Sequence, residues 1–299
     1  MTIRIATIFL LLLGGSQVVA AEGNYPHPEM LIEPLTLSQP NVARQFIVLD
    51  ARARKQYDAG RIPGAVWVDA AAWAKAFQEG TDAQTWGARI GGLGIGRDAK
   101  VVVYDDAAFK NAGRMWWILR YWGLADVRLL NGNWIGWQRA GLPVASDAAK
   151  APTPVRITAK PRAERLATKA LVLASLGPRS LQIVDARSEG EFCGINKETN
   201  RRGGAIPGAK HLEWIDLIDQ PTQRFKSAEQ LRKLFHDAGI DLDRPTATHC
   251  QSGGRASVMS FGMELMGARS VRNYYASWAE WGNAADTPVS TPQPAKKTN

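Results

Sequence analysis

Cysteine is scarce in this chain: Cys193 and Cys250 are the two thiols among 299 residues. A pair of cysteines cannot build the dense disulfide framework that holds small secreted domains, so stability must come from a packed core. Long apolar runs are also missing. The stretch from Ile5 to Leu13 is too short to span a bilayer comfortably, and polar residues Asn24 to Glu29 follow it. There is no coiled-coil heptad and no large apolar repeat to demand obligate assembly, so a monomer is expected. Clustered basic charge is lacking as well. The net charge is +9, but the 37 Lys and Arg residues are scattered, which argues against nucleic acid and for small anionic ligands. The remaining composition, 45% hydrophobic and 22% charged, is that of an ordinary globular chain with room for two domains of ~100–150 residues each.

The N-terminus carries a positive residue, Arg4, then the apolar run, then small residues at Val18-Val19-Ala20. This is the layout of a signal peptide over residues 1–21, cleaved after Ala20 or Ala21. Export to a periplasm without a stable membrane anchor is the expectation. An uncleaved amphipathic anchor is the alternative.

An internal repeat organises the rest. Ile47-Val48-Leu49-Asp50-Ala51-Arg52 is matched by Ile183-Val184-Asp185-Ala186-Arg187, and Ile62-Pro63-Gly64-Ala65 by Ile206-Pro207-Gly208-Ala209. Ile62 and Ile206, Trp134 and Trp278, and Trp137 and Trp281 are each 144 positions apart. Short apolar runs alternate with helical patterns in both halves, the signature of βα units on a mostly parallel sheet. Strands are expected at Ile47–Leu49, Val101–Tyr104 and Ile183–Val184, and helices at Gly113–Trp122 and Ser257–Met266, each followed by a glycine. Ser227 and Gln230 have the spacing of a capping box. The fold class is therefore α/β, in two similar domains over residues 31–145 and 162–287. Residues 146–161 are expected to be the linker, and 288–299 a disordered, proline-rich tail.

The chemistry points to Cys250. It follows the predicted strand Thr246–His249 and precedes a helix beginning near Ala256, which puts it at the carboxyl end of the sheet, where open α/β sheets bind ligands. Gly253 and Gly254 let the loop Cys250-Gln251-Ser252-Gly253-Gly254-Arg255 curl so that backbone N–H groups converge on the sulfur. The helix N-terminus and Arg255 add positive potential, and together these features favour a thiolate nucleophile. A buried structural cysteine is the competing reading, but this polar loop is a poor sequence for an apolar core. His249, on the opposite face of its strand from Cys250, is read as a packing or supporting residue and not as the base.

The Asp-x-Arg after a strand, the Ile-Pro-Gly-Ala element, the Cys-x-x-Gly-x-Arg loop and the closing Ser277-Trp278-Ala279-Glu280-Trp281-Gly282 resemble the tandem-domain rhodanese sulfurtransferases. The resemblance runs over roughly Leu31 to Pro288. It implies two rhodanese-like domains, the second catalytic. Its cysteine takes sulfane sulfur from thiosulfate or 3-mercaptopyruvate as a persulfide and hands it to cyanide or a thiol, with no metal or organic cofactor. It also implies that Arg187 binds the anionic group of the donor, for which a guanidinium is a bidentate match. The competing role is an interdomain salt bridge, which Arg52 could equally make. Asp185 is expected to brace the loop, with Gln251, Ser252, Gly253, Gly254 and Arg255 lining the donor site. The loop departs from the family's thiosulfate and mercaptopyruvate loops, which end in a small hydroxyl residue where this one has Arg255, so the donor stays open. In the first half Asp105-Asp106-Ala107-Ala108-Phe109 stands where a cysteine would fall, which makes that domain a structural partner walling the cleft.

Three alternatives remain beside this reading. Cysteine-loop phosphatases carry a loop one residue longer, with arginine at the sixth position after cysteine, whereas Arg255 is at the fifth. A non-catalytic persulfide carrier or interaction module would share the fold. Cys193, in the inserted basic stretch 188–204 with Lys197, Arg201 and Arg202, is either a resolving thiol or an incidental buried one.

Overall fold

Val101, Val102 and Val103 are β-branched, consecutive and fully buried, as a strand covered on both faces requires. They form the middle of a five-stranded sheet in the computed structural model, which describes residues 24–177 and 181–294. The expected leader at 1–21 lies outside the described residues. The first sheet contains β1 (Leu31–Ile32), β2 (Phe46–Asp50), β3 (Val66–Trp67), β4 (Lys100–Tyr104) and β5 (Asp126–Leu130) in the order β1-β5-β4-β2-β3. All its pairings are parallel.

The second half repeats this plan. Strands β6 (Gln182–Asp185), β7 (Lys210–His211), β10 (Thr246–His249) and β11 (Val271–Asn273) form a parallel sheet in the order β11-β10-β6-β7. Between them β8 (Ile218–Asp219) and β9 (Arg224–Phe225) make a small antiparallel hairpin. The registers match: Asp50 lies opposite Tyr104 at the carboxyl ends of β2 and β4, and Asp185 lies opposite His249 in β6 and β10. The α/β reading with two flanked parallel sheets therefore holds.

Helix Ala228–Asp237 begins with the expected capping box, Ser227 accepting from the Gln230 N–H while the Gln230 side chain accepts from the Ser227 N–H. The helices Lys110–Tyr121 and Gly254–Leu265 each begin three residues earlier than expected. Apolar periodicity locates the buried stripe of a helix, not its first turn, and here the first turns belong to the loops that precede them.

One hydrophobic core runs through both halves without a break. Helices 110–121 and 254–265 pack directly on one another. At Gly113 an added Cβ would come within 2.9 Å of the Val258 side chain, so glycine permits the close crossing. Trp116 meets Phe261 edge-on at 4.9 Å, and Phe109 stacks on Phe225 at 4.8 Å. Apolar burial of this kind, ~25 cal/mol per Å², fixes the two domains as one body.

Two segments differ from expectation. The linker has no regular element, yet it lies flush on the first domain: Val155 N–H donates to Gly91 O at 3.0 Å, and a Cβ at Gly91 would come within 2.0 Å of Val155 O. The tail, expected to be disordered from residue 288, belongs to the fold as far as Ser290. Ala205 and Ser290 exchange both backbone hydrogen bonds, and Trp281 Nε1 donates to Pro288 O at 2.8 Å. The inserted stretch before Ala205 supplies the pairing edge, which composition alone does not reveal.

Candidate active site

Cys250 sits directly after β10 with 1% of its surface exposed. Each carbonyl of its loop that is hydrogen-bonded is bonded away from the sulfur. Cys250 O accepts from Trp278 N–H at 3.0 Å, Gln251 O from Ala279 N–H at 3.0 Å, and Gly253 O from Ser257 Oγ at 2.8 Å and Asn273 Nδ2 at 3.1 Å. The Cys250 N–H donates to Ser277 Oγ at 3.1 Å. The N–H groups of residues 251–256, in contrast, find no hydrogen-bond acceptor among the described residues. Gly253 turns the chain with φ of 84°, and the Tyr275 ring lies 2.6 Å from where its Cβ would sit, so both the turn and the close approach require glycine.

The first domain shows what such a loop does to an anion. Asp105 occupies the position of Cys250: its N–H donates to Asn133 Oδ1 at 3.0 Å as that of Cys250 does to Ser277, and its carbonyl accepts from Trp134 N–H at 3.1 Å. Its buried carboxylate takes four backbone N–H groups, from Ala107 and Phe109 at 3.0 Å and from Asn111 and Ala112 at 2.9 Å. Burial raises the pKa of Asp105 above the ordinary carboxylate value, and these four donors lower it only part of the way back. The Asp105 carboxylate fills the space a cysteine sulfur would occupy, which explains why this half holds its loop without a nucleophile.

Arg187 requires a correction. The guanidinium expected to bind the donor is 1% exposed and committed within its own domain. Its Nε donates to Asp185 Oδ1 at 3.0 Å, its Nη2 to Asp185 Oδ2 at 2.6 Å and to Gly204 O at 2.7 Å, and it lies 4.2 Å over the Trp278 ring. Arg52 repeats this arrangement in the domain that lacks the cysteine, on Asp50, Gly60 O and Trp134. A geometry shared with a domain that has no nucleophile is scaffolding. Neither arginine makes an interdomain bridge.

His249 is fully buried, stacked near Trp278, with neither ring nitrogen hydrogen-bonded; its Nε2 lies 3.4 Å from Asp185 Oδ2. Burial is the main cause that pushes its pKa down to about 4, against the pull of Asp185, so the imidazole is neutral. Stability follows from this. An unfolded His takes a proton as pH falls below about 6.5, while folded His249 resists until about 4, so its contribution is complete above 6.5 and lost across that window. At about 1.4 kcal/mol per pH unit the expected loss is about 3 kcal/mol. Urea unfolding at pH 7 and pH 4 measures it, and a His249→Gln variant should show a clearly smaller difference.

The remaining loop residues divide between two neighbours. Gln251 forms a reciprocal amide pair with Asn200, both contacts at 3.1 Å, which ties the loop to the inserted stretch. Arg255 donates Nη1 and Nη2 to Glu191 at 2.6 and 2.8 Å. Burial opposes its charge, but Glu191 and the sulfur of Cys250 together hold its pKa above the ordinary value. Gly254 begins helix 254–265, and Ser252 contributes a carbonyl that accepts from Arg114. Cys193 caps the short helix Glu189–Phe192 and is buried, and burial pushes its thiol pKa up, which disfavours the thiolate a resolving residue needs. Arg202 donates to the Trp281 and Thr287 carbonyls, so this basic residue of the insertion is structural.

Arg114 was not apparent from sequence. It projects from helix 110–121 of the first domain across the seam, where Nη1 donates to Ser252 O at 2.8 Å and to Tyr275 Oη at 2.5 Å. The sequence signal was a lone arginine between buried Gly113 and Met115, but its target depends on how the domains dock. Arg114→Ala should lower kcat/KM by about tenfold to a hundredfold through a misplaced loop. Steady-state kinetics on a variant of near-normal melting temperature would show it, and an unchanged kcat/KM would count against this positioning role.

These features define a tandem α/β protein with one cysteine loop. Residues 34–140 and 168–284 each match the rhodanese-like domain. The thiosulfate sulfurtransferase of Corynebacterium glutamicum is 34% identical over 292 residues, spanning 91% of this chain and 94% of that protein. The 3-mercaptopyruvate sulfurtransferase of Escherichia coli K12 is 30% identical over 253 residues, spanning 80% and 86%. Among solved structures, SseA of Escherichia coli, a 3-mercaptopyruvate sulfotransferase, matches with a TM-score of 0.74 at 27% identity, covering 84% of this chain and 99% of that one. Wild-type EanB shares the fold, with a TM-score of 0.81 at 24% identity over 90% of this chain and 70% of that one. The chain belongs to the rhodanese family.

Proposed function

We propose that the protein is a sulfurtransferase in which Cys250 carries sulfane sulfur from thiosulfate or 3-mercaptopyruvate to cyanide or a thiol. With thiosulfate, the Cys250 thiolate attacks the outer sulfur. A new S–S bond forms at Sγ, the donor's S–S bond breaks, and its electron pair leaves with sulfite. The acceptor then attacks the outer sulfur of the persulfide and regenerates the thiolate. The observation that carries this reading is the set of free N–H groups at 251–256, whose counterparts in the first domain hold the Asp105 carboxylate. They are suited to stabilise a persulfide anion. The names of the relatives support the same reaction class. Mass spectrometry after incubation with thiosulfate should find one added sulfur on Cys250, discharged by cyanide or a thiol. A Cys250 left unmodified by both thiosulfate and 3-mercaptopyruvate would refute the reading, and sulfur that no acceptor removes would indicate a carrier.

The N-terminal apolar run and the small residues at 18–20 support export to the periplasm. Fractionation of expressing cells, with N-terminal sequencing of the recovered protein, tests this.

A further inference from the structure

Beyond the free N–H groups of the loop, the charge that a donor anion meets in this site is set by the arginines around it. Arg187 is locked on Asp185, and Arg114 is engaged with Ser252 and Tyr275. Arg255 faces the Cys250 sulfur from within the loop, but Glu191 holds both of its terminal nitrogens. The pair is shielded from water: the Glu191 side chain is 6% exposed and that of Arg255 19%. Ser188 anchors the carboxylate from the other side, its Oγ donating to Glu191 Oε2 at 2.9 Å. Burial alone would raise the Glu191 carboxyl, yet Arg255 and Ser188 keep it below the ordinary range, so it is ionised at neutral pH. Further negative charge stands behind it: Glu213, with Asp216 beside it, lies within electrostatic reach of both Arg255 and Glu191. The charge of Arg255 is thus already matched by Glu191 before any donor arrives.

We propose that Glu191 is the specificity-determining residue of this site, closing Arg255 to doubly charged donors such as thiosulfate and favouring singly charged ones, for which 3-mercaptopyruvate is the model. The inference rests on the sulfurtransferase reading above. Repulsion from a fixed carboxylate grows with donor charge, so a dianion suffers it about twice over. With 3-mercaptopyruvate the Cys250 thiolate attacks the thiol sulfur and the donor's C–S bond breaks. The electron pair stays on carbon, which takes a proton to give pyruvate, and the sulfur remains on Cys250 as the persulfide.

The test is kcat/KM for both donors, with cyanide as acceptor, in wild type, Glu191→Gln and Ser188→Ala. Glu191→Gln keeps the shape and an acceptor oxygen for Ser188 while removing the charge. It should raise kcat/KM for thiosulfate by about tenfold and that for 3-mercaptopyruvate by no more than about threefold. Ser188→Ala, which removes the cap contact and keeps the charge, should leave the ratio of the two donors unchanged. An unchanged or lower thiosulfate efficiency in Glu191→Gln overturns the proposal, as does Ser188→Ala reproducing the effect. If Cys250 gains no sulfur from either donor in any of the three proteins, the sulfurtransferase reading fails and the proposal falls with it.

Discussion

Arg187→Ala should cost about 3–5 kcal/mol of stability, measured as a fall in the urea midpoint, before any effect on donor affinity can be read. The reason lies in what remains behind. Asp185 is fully buried and accepts from the Arg187 N–H, Nε and Nη2, so removing the guanidinium strands a carboxylate in the core and leaves Gly204 O without its donor. Packing against Trp278 is lost as well. Arg52→Ala should also destabilise, though by less, because Asp50 loses the guanidinium and Gly60 O its donor but the Asp50 carboxylate keeps the hydroxyl of Tyr104. A donor-binding arginine would behave otherwise: Arg187→Ala would raise KM at unchanged midpoint, and Arg52→Ala would leave kinetics alone. Destabilisation by both variants is the result that identifies a repeated strut.

Cys250→Ser should abolish sulfur transfer, lowering kcat by at least about a thousandfold with either donor. A hydroxyl is not ionised at neutral pH, and an oxygen at this position cannot form the S–S bond on which the cycle depends. The fold should survive, since serine is close to isosteric and the Cys250 backbone contacts to Ser277 and Trp278 do not involve the side chain. A matched melting temperature with no turnover, in the thiosulfate:cyanide assay, is the expected pair of results. Full activity in this variant would overturn the mechanism, and Cys193 would then be the thiol to examine.

Much of this architecture was legible in the residues. Consecutive valines at 101–103 are a buried strand by their own chemistry, Ser227 and Gln230 fix a helix start through two local hydrogen bonds, and the 144-residue spacing declares a duplication. These signals are local or periodic, and so they survive in a linear reading. The role of Arg187 did not, because a guanidinium suits a bound anion and a neighbouring carboxylate equally well. What separates the two is the buried Asp185 fork, although the twin Asp50-x-Arg52 in a domain without a cysteine was a clue in plain view. Arg114 and Glu191 were missed for another reason. Their partners lie 138 and 64 positions away, and only docking of the domains and folding of the inserted stretch bring them to the loop.

Asp105 has a consequence for how such a protein can change over generations. Its four hydrogen bonds make the cysteine-free loop a settled state and not a vacant one. Any substitution there that cannot accept these donors leaves the buried amides of Phe109 and Ala112 unpaired, at roughly 1–3 kcal/mol each. A lineage that has acquired this aspartate is therefore held by selection for stability alone, even with no selection on sulfur chemistry in that half. A route to a second nucleophile at this position runs uphill through less stable intermediates, so the asymmetry between the two domains is self-maintaining.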